Sequence, residues 1–370
     1  MTADTAYAAY RDKGFFGSLN GLRCLCILLV LWHHRPNVIP EGVALPRILD
    51  RGFTGVDFFF VLSGFLITTL LLREEDRDGR FSIAGFYRRR VLRIVPVYFL
   101  VVTLCAVWWI CLRGQAQWWP LPPYYYAFLA NFLNDDIPLL APTWSLSVEE
   151  QYYLIWPALM LLLTWRPGRT LFLVGMIVLA VLVGEKVLPE LEPVPPTENA
   201  RFLLPMGSYA AILIGSLLAM TLHHRKGFAA LWVLLGVRQA PLVLFAVLLA
   251  LWQWLPQHLP GLPNLAMHGV MALILAALVV REDHVLAPVL AWGPIARIGV
   301  ISYGLYLWHL IGLHMGNEVA GLLGLTGQTA GWAALPVYLA ASIVIAEVSF
   351  RWFESHFLKM KSGRPKKQPA

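Results

Sequence analysis

The sequence predicts an all-α, polytopic membrane helix bundle of about ten transmembrane helices, with both termini cytoplasmic. Three observations predict it. The 370 residues are 58% hydrophobic and only 14% charged, with a mean hydropathy of +0.63, far from the balance of a soluble domain. Several apolar runs approach the roughly 20 residues that a helix needs to cross a bilayer. Lys and Arg gather in alternate connections, as membrane topology demands.

The elements follow in order. Residues 1–18 form a polar cytoplasmic lead-in without the basic-then-apolar arrangement and small-residue cleavage site of a signal peptide. A transmembrane domain over 19–356 opens with the apolar run Leu19–His34. The second span is Phe53–Leu72, and the strongly basic connection Arg73–Arg93 leads to a third over about Ile94–Leu112. The aromatic, Pro-rich stretch Gly114–Asp136 has room for a short interfacial or re-entrant helix around Tyr124–Leu133. Spans four to six fall at Thr143–Trp165, Leu171–Leu188 and Phe202–Leu222. Ala229–Val237 is too short to cross and suits the interface. Spans seven to ten are Pro241–Leu255, Leu265–Val280, Ile295–Met315 and Trp332–Phe350, and 357–370 is a basic cytoplasmic tail. Ten crossings return both termini to one side. The connections after spans two, four, six and eight, with the tail, hold most Lys and Arg, which makes that side the cytoplasm.

The net charge of +7 lies in short loops and the tail, so it reports topology and gives no reason to invoke nucleic acid. Fifteen Trp and thirteen Tyr suit an interfacial aromatic belt. The four cysteines read as small packing residues, and no metal-ligand spacing or phosphate-binding Gly loop is present.

Ionisable residues in apolar helices mark chemistry, because lipid-facing charge is expensive. Eleven helical residues at about 100° each bring Arg23 and His34 within roughly 20° of one face, about 16 Å apart along the axis. His33 leaves that face. The pair combines a fixed cation with a base that titrates near neutral pH. The block Tyr87-Arg-Arg-Arg-Val-Leu-Arg-Ile-Val-Pro96 carries Arg93 into the membrane at helical spacing from Arg89 and Arg90. Guanidiniums so placed pair with phosphates in forked geometry. In Trp144-Ser-Leu-Ser-Val-Glu-Glu-Gln-Tyr-Tyr153, Glu149 shares a face with Ser145 and with Tyr152 or Tyr153. Glu149 and Glu150 cannot face the same way. Asp57 and Ser63 in the second span, and Tyr303, Tyr306 and His309 in the ninth, are lesser candidates whose ordinary role is an interhelical hydrogen bond. His314, Glu347 and Glu354 are weaker still.

These residues carry a resemblance. Leu-Asn-Gly-Leu-Arg23 followed after ten residues by His34, Gly-Val-Asp57-Phe-Phe-Phe-Val-Leu-Ser63-Gly-Phe-Leu-Ile, the Arg88–Pro96 block, the Trp144–Tyr153 stretch and Ile301-Ser-Tyr-Gly-Leu-Tyr-Leu-Trp-His309 resemble, in order, the acyltransferase-3 family of integral membrane O-acyltransferases. The resemblance implies a ten-helix, multi-pass enzyme of the bacterial inner membrane. It would take an acyl group, commonly acetyl, from cytosolic acetyl-CoA or another acyl-CoA to a hydroxyl of a sugar, glycan precursor or secondary metabolite, with no metal. The family's Arg-x10-His pair falls on Arg23 and His34, and its Glu on Glu149 with Glu150 beside it. Its paired arginines fall within Arg89, Arg90 and Arg93, which would hold the acyl-CoA phosphates together with Arg23. Glu150, Asp57, Ser63, Tyr303 and His309 are then candidates for contacting the acceptor. Asn20 departs from the family's usual Asp before Gly-Leu-Arg, and no appended esterase-like domain is expected. The rival reading is a transporter or flippase of a lipid-linked or polar substrate, using the same buried charges as a polar pathway. The sequence leaves the oligomeric state open.

Overall fold

The computed structural model describes residues 2–40, 43, 46–204, 207, 209–256 and 261–361. Helix accounts for 76% of the chain, with no strand among the described residues. In chain order the helices are α1 (Ala3–Asp12), α2 (Ser18–His33), α3 (Arg47–Asp50), α4 (Thr54–Asp78), α5 (Ile83–Ala106), α6 (Pro122–Tyr126), α7 (Thr143–Leu162), α8 (Arg166–Gly184) and α9 (Tyr209–His223). They continue as α10 (Arg225–Leu235), α11 (Ala240–Trp254), α12 (Gly261–Val280), α13 (Ala287–Leu290), α14 (Gly293–Val300), α15 (Ser302–Leu322), α16 (Gly327–Val348) and α17 (Ser355–Lys361). The chain divides into two compact units. The first comprises Met1–His33, Glu41–Phe81 and Val148–Val300; the second comprises His34–Pro40, Ser82–Ser147 and Ile301–Ala370. Most of the expected basic tail lies outside the described residues.

Local chemistry sets the helix ends. Ser82 accepts the Gly85 amide at 3.1 Å and so caps α5. Gly79, at φ 74°, ends α4 in the left-handed conformation that glycine adopts without strain. α5 and α16 continue as π-type turns, Val107–Leu112 and Ser349–Glu354.

By length and apolarity, five helical stretches among the described residues can cross a membrane: Arg47–Asp78, Ile83–Leu112, Arg166–Gly184, Gly261–Val280 and Gly327–Met360. The number rises to seven if each of two bent pairs counts as one span. The membrane-helix architecture therefore stands, with fewer full-length spans than the ten expected. The opening helix has 16 residues, and the expected sixth span is a helix of 15. At about 1.5 Å per residue both fall short of a roughly 30 Å hydrocarbon core. α10 and α11 form one bent pair, at 76°. Pro241 stands in the first turn of α11, where its missing N–H and fixed φ start a new helix rather than continue an old one. The expected ninth span is broken at Ile301 into α14 and α15. α14 packs on α2 through Gly299, where a Cβ would come within 2.6 Å of the Asn20 carbonyl carbon.

The expected connection Arg73–Arg93 is mostly helix, because α4 runs on to Asp78. In the first unit its polar residues find partners. Arg169, 2% exposed, donates to both Glu75 oxygens at 2.8 and 3.0 Å and to the Leu163 and Met160 carbonyls at 2.6 and 2.7 Å. Asp76 meets Arg11 at 2.5 Å, Arg166 at 2.6 Å and His223 at 2.9 Å. At the other end of the same unit, buried Arg51 donates to the carbonyls of Trp252, Leu255 and Pro256. These include acceptors left open where α11 ends.

The first unit's core forms where α4 crosses α9. A Cβ at Gly64 would lie 2.9 Å from the Ile212 carbonyl carbon, and one at Gly215 2.8 Å from that of Val61. Small residues let backbones meet in this way where lipid offers no hydrophobic drive. Beside the crossing, Tyr152 of α7 reaches Ser216 at 2.5 Å and Thr68 at 3.3 Å, and the Trp156 indole donates to Thr68 at 2.9 Å.

In the second unit, the stretch after α5 does hold a short helix, α6, followed by a 3-10 turn at Ala130–Phe132. Tyr125 pins it. The Tyr98 hydroxyl donates to the Tyr125 carbonyl at 3.0 Å, the Tyr125 hydroxyl donates to Asp136 at 2.8 Å, and the Ile137 amide donates to the Tyr125 oxygen at 3.0 Å. Burial raises the pKa of both the Asp136 carboxyl and the Tyr125 phenol.

Candidate active site

The candidate residues divide between the two units. In the first, Glu149 is half-buried and accepts from two directions: Ser63 of α4 donates to one oxygen at 2.7 Å, and Tyr153 to the other at 3.3 Å. An ionised carboxylate only accepts hydrogen bonds, so both donors suit it. Tyr153 follows Glu149 by one helical turn, the face-sharing expected from spacing. Glu150 is also half-buried.

Asp57 stands in the first turn of α4, with its carboxylate oxygen 3.5 Å from Nε2 of His268 on α12. His268 is fully buried, and neither ring nitrogen has a hydrogen-bond partner within the protein. Sequence reasoning did not name His268, although it is the one ionisable residue in the apolar run Leu265–Val280. Arg23 lies half-buried within α2. The helix that was to carry both Arg23 and His34 ends at His33, one residue before the base.

In the second unit His34 is half-buried, whereas His33, in the first, is exposed. Helical phase had favoured His34. Its ring lies 4.8 Å from that of His309, centroid to centroid, at 62°. His309 is fully buried on α15, with Nδ1 2.7 Å from the Tyr306 carbonyl oxygen. The Tyr306 hydroxyl lies 2.7 Å from Ser145 and donates to the Pro142 carbonyl at 2.9 Å. Tyr303 donates to the Ile94 carbonyl at 3.1 Å, the interhelical role judged ordinary for it.

The arginines lie along the first turns of α5. Arg90 stacks over Phe86 at 5.5 Å, and Arg88 donates to the Met360 carbonyl at 3.4 Å. Arg93 interacts electrostatically with Glu354, which is 8% exposed and accepts from Ser349 at 3.1 Å. Arg93 thus has a carboxylate of its own unit to answer its charge, a pairing across most of the chain that spacing could not reveal.

A cavity of about 680 Å³ opens in the first unit, walled by Ala180, Val183, Leu188 and Leu265 with Lys186 and Asn264 at its polar edge. None of the candidate residues lines it. Volume alone therefore does not mark the chemistry.

Residues 16–350 match the family described as an acyltransferase domain. Among similar proteins, the peptidoglycan O-acetyltransferase OatA of Listeria monocytogenes is 29% identical, over 94% of this chain and 56% of its own length. A putative peptidoglycan O-acetyltransferase, YrhL of Bacillus subtilis, is 26% identical over 94% and 56%. The O-acetyltransferase OatA of Staphylococcus aureus is 24% identical over 93% and 57%. The chain spans a little over half the length of these curated relatives. No solved structure matches it. With the family's domain covering nearly all of the sequence, through the segments that carry Arg23, His34, Glu149 and His309, the chain belongs to the acyltransferase-3 family.

Proposed function

We propose that this chain is a multi-pass membrane O-acyltransferase. It moves an acyl group, acetyl in the commonest case, from cytosolic acyl-CoA to a hydroxyl of a glycan or small-molecule acceptor. The relatives' printed names point to peptidoglycan as the kind of glycan to try first. The observation that carries the reading is His34, a half-buried imidazole at the end of an apolar helix inside the family's domain. In the reaction, the acceptor oxygen attacks the thioester carbonyl carbon while His34 takes the hydroxyl proton. The new C–O bond forms as the C–S bond breaks, and the proton passes on to the departing sulfur. Glu149, held by Ser63 and Tyr153, is the candidate carboxylate for the acceptor. Arg89 and Arg90 hold the donor's phosphates, Arg23 is a further candidate for an anion contact, and Arg93 contributes field from its place near Glu354. Asp57, Ser63, Glu150 and Tyr303 remain the candidates for shaping the acceptor side, while His309 stands against the ring of the base. Both termini lie in the bacterial cytoplasm, with the five long stretches, α7, the two short helices and the two bent pairs making up a ten-crossing bundle.

The experiment uses purified protein, acetyl-labelled acetyl-CoA and candidate glycans. Label in ester linkage to a glycan hydroxyl, lost in His34→Ala, is the expected result. Transport of unmodified substrate with no ester formed overturns the proposal. Donor binding should weaken as salt rises and again when Arg89 and Arg90 are both replaced by Ala.

A further inference from the structure

We infer that His309 is the positioning residue for His34, an inference that rests on His34 being the base. His309 is fully enclosed, and its Nδ1 faces a carbonyl oxygen at 2.7 Å. A carbonyl can only accept, so Nδ1 carries the hydrogen and the neutral ring keeps its lone pair on Nε2. One tautomer and one ring orientation are thereby selected.

The carbonyl that selects them belongs to a fixed residue. Tyr306 is tied through its hydroxyl to Ser145 and to the Pro142 carbonyl, so the tip of that side chain is held. Orientation passes from Pro142 and Ser145 through Tyr306 to His309, and from the His309 ring by edge-to-face contact to the ring of His34 at 4.8 Å. The last link matters because α2 ends at His33. His34 stands one residue past that end, where the neighbouring ring of fixed orientation borders its imidazole. His309 touches neither donor nor acceptor in this scheme and acts only through His34.

The test is a kinetic cycle on the full-length protein, using the labelled-acetyl assay. His309→Ala should lower kcat about 100-fold, the loss that a misplacement of about 1 Å can bring, and leave KM within about twofold. His309→Asn keeps a donor for the Tyr306 carbonyl but lacks the ring that meets His34, so it should also lose kcat while retaining the wild-type melting temperature. In the slow His34→Ala background, adding His309→Ala should change the residual rate less than about twofold, because residues that act as one unit are not additive. Wild-type kcat in His309→Asn overturns the inference, and so does a second full loss on top of His34→Ala. The two readings separate cleanly. Full activity in His34→Ala removes the base, whereas an inactive His34→Ala beside fully active His309 variants removes only the positioning role. Should His309→Ala fail to fold, the Asn variant decides alone.

Discussion

Replacing Gly64 by Ala tests the contact on which the first unit is built. The added Cβ would stand 2.9 Å from the Ile212 carbonyl carbon, while ordinary contacts there begin at about 3.4 Å. Backbone cannot rotate aside as a side chain can, and the Ile212 carbonyl oxygen lies nearer still than its carbon, so α4 and α9 must separate by more than the roughly 0.5 Å that the carbon contact alone would require. Overpacking of this kind costs about 1–3 kcal/mol. For a unit of this size that corresponds to a fall in melting temperature of roughly 2–12 °C. The same movement stretches the 2.5 Å Tyr152–Ser216 bond that joins α7 to α9. Gly215→Ala should act alike, since its Cβ would lie 2.8 Å from the Val61 carbonyl carbon at the same crossing. Once one methyl has parted the helices, the second meets less resistance, so the double variant should lose clearly less than the sum of the two. The assay is thermal unfolding of detergent-purified protein, followed by tryptophan fluorescence. A Gly64→Ala melt within 0.5 °C of wild type, or strictly additive losses, would refute the close crossing.

Glu75→Ala strands the buried Arg169 guanidinium and should cost about 3–5 kcal/mol, whereas Glu75→Met with Arg169→Met removes the stranded charge and should recover part of that; equal melts for the two variants would count against it. Tyr125→Phe removes both the donor to Asp136 and the acceptor for the Ile137 amide, a loss of about 1–3 kcal/mol measurable by urea titration of the same preparation. His284, 1% exposed and 3.0 Å from Ser18, is held neutral by burial, which lowers its pKa. Its contribution is therefore complete above the ordinary histidine pKa of about 6.5 and is lost as pH falls below it. His284→Asn should flatten the drop in stability between pH 7.5 and 5, and an unchanged slope would exclude His284 from that drop.

Composition made the helical membrane architecture legible, and the two neighbouring histidines differ in burial, His34 half-buried and His33 exposed. The spacing of Glu149 and Tyr153 along one helix was equally readable. The end of α2 had a local signal in Pro36, since the residue before a proline is turned away from helix. The bend at Ile301 had none, because no proline stands there. Asp57 with His268, and Arg93 with Glu354, are joined only by the tertiary fold, across separations that periodicity does not reach. Composition also counted apolar runs as spans, and it could not see that two of them form helices shorter than an average hydrocarbon layer.

That shortness has a consequence for where the chemistry meets water. A 16-residue helix extends about 24 Å, some 6 Å less than an average hydrocarbon layer. The mismatch must be met by thinning of the bilayer around α2 or by water entering beyond its end. Either response draws the aqueous boundary toward His34. Turnover should therefore respond to lipid chain length, rising in thin bilayers and falling in thick ones.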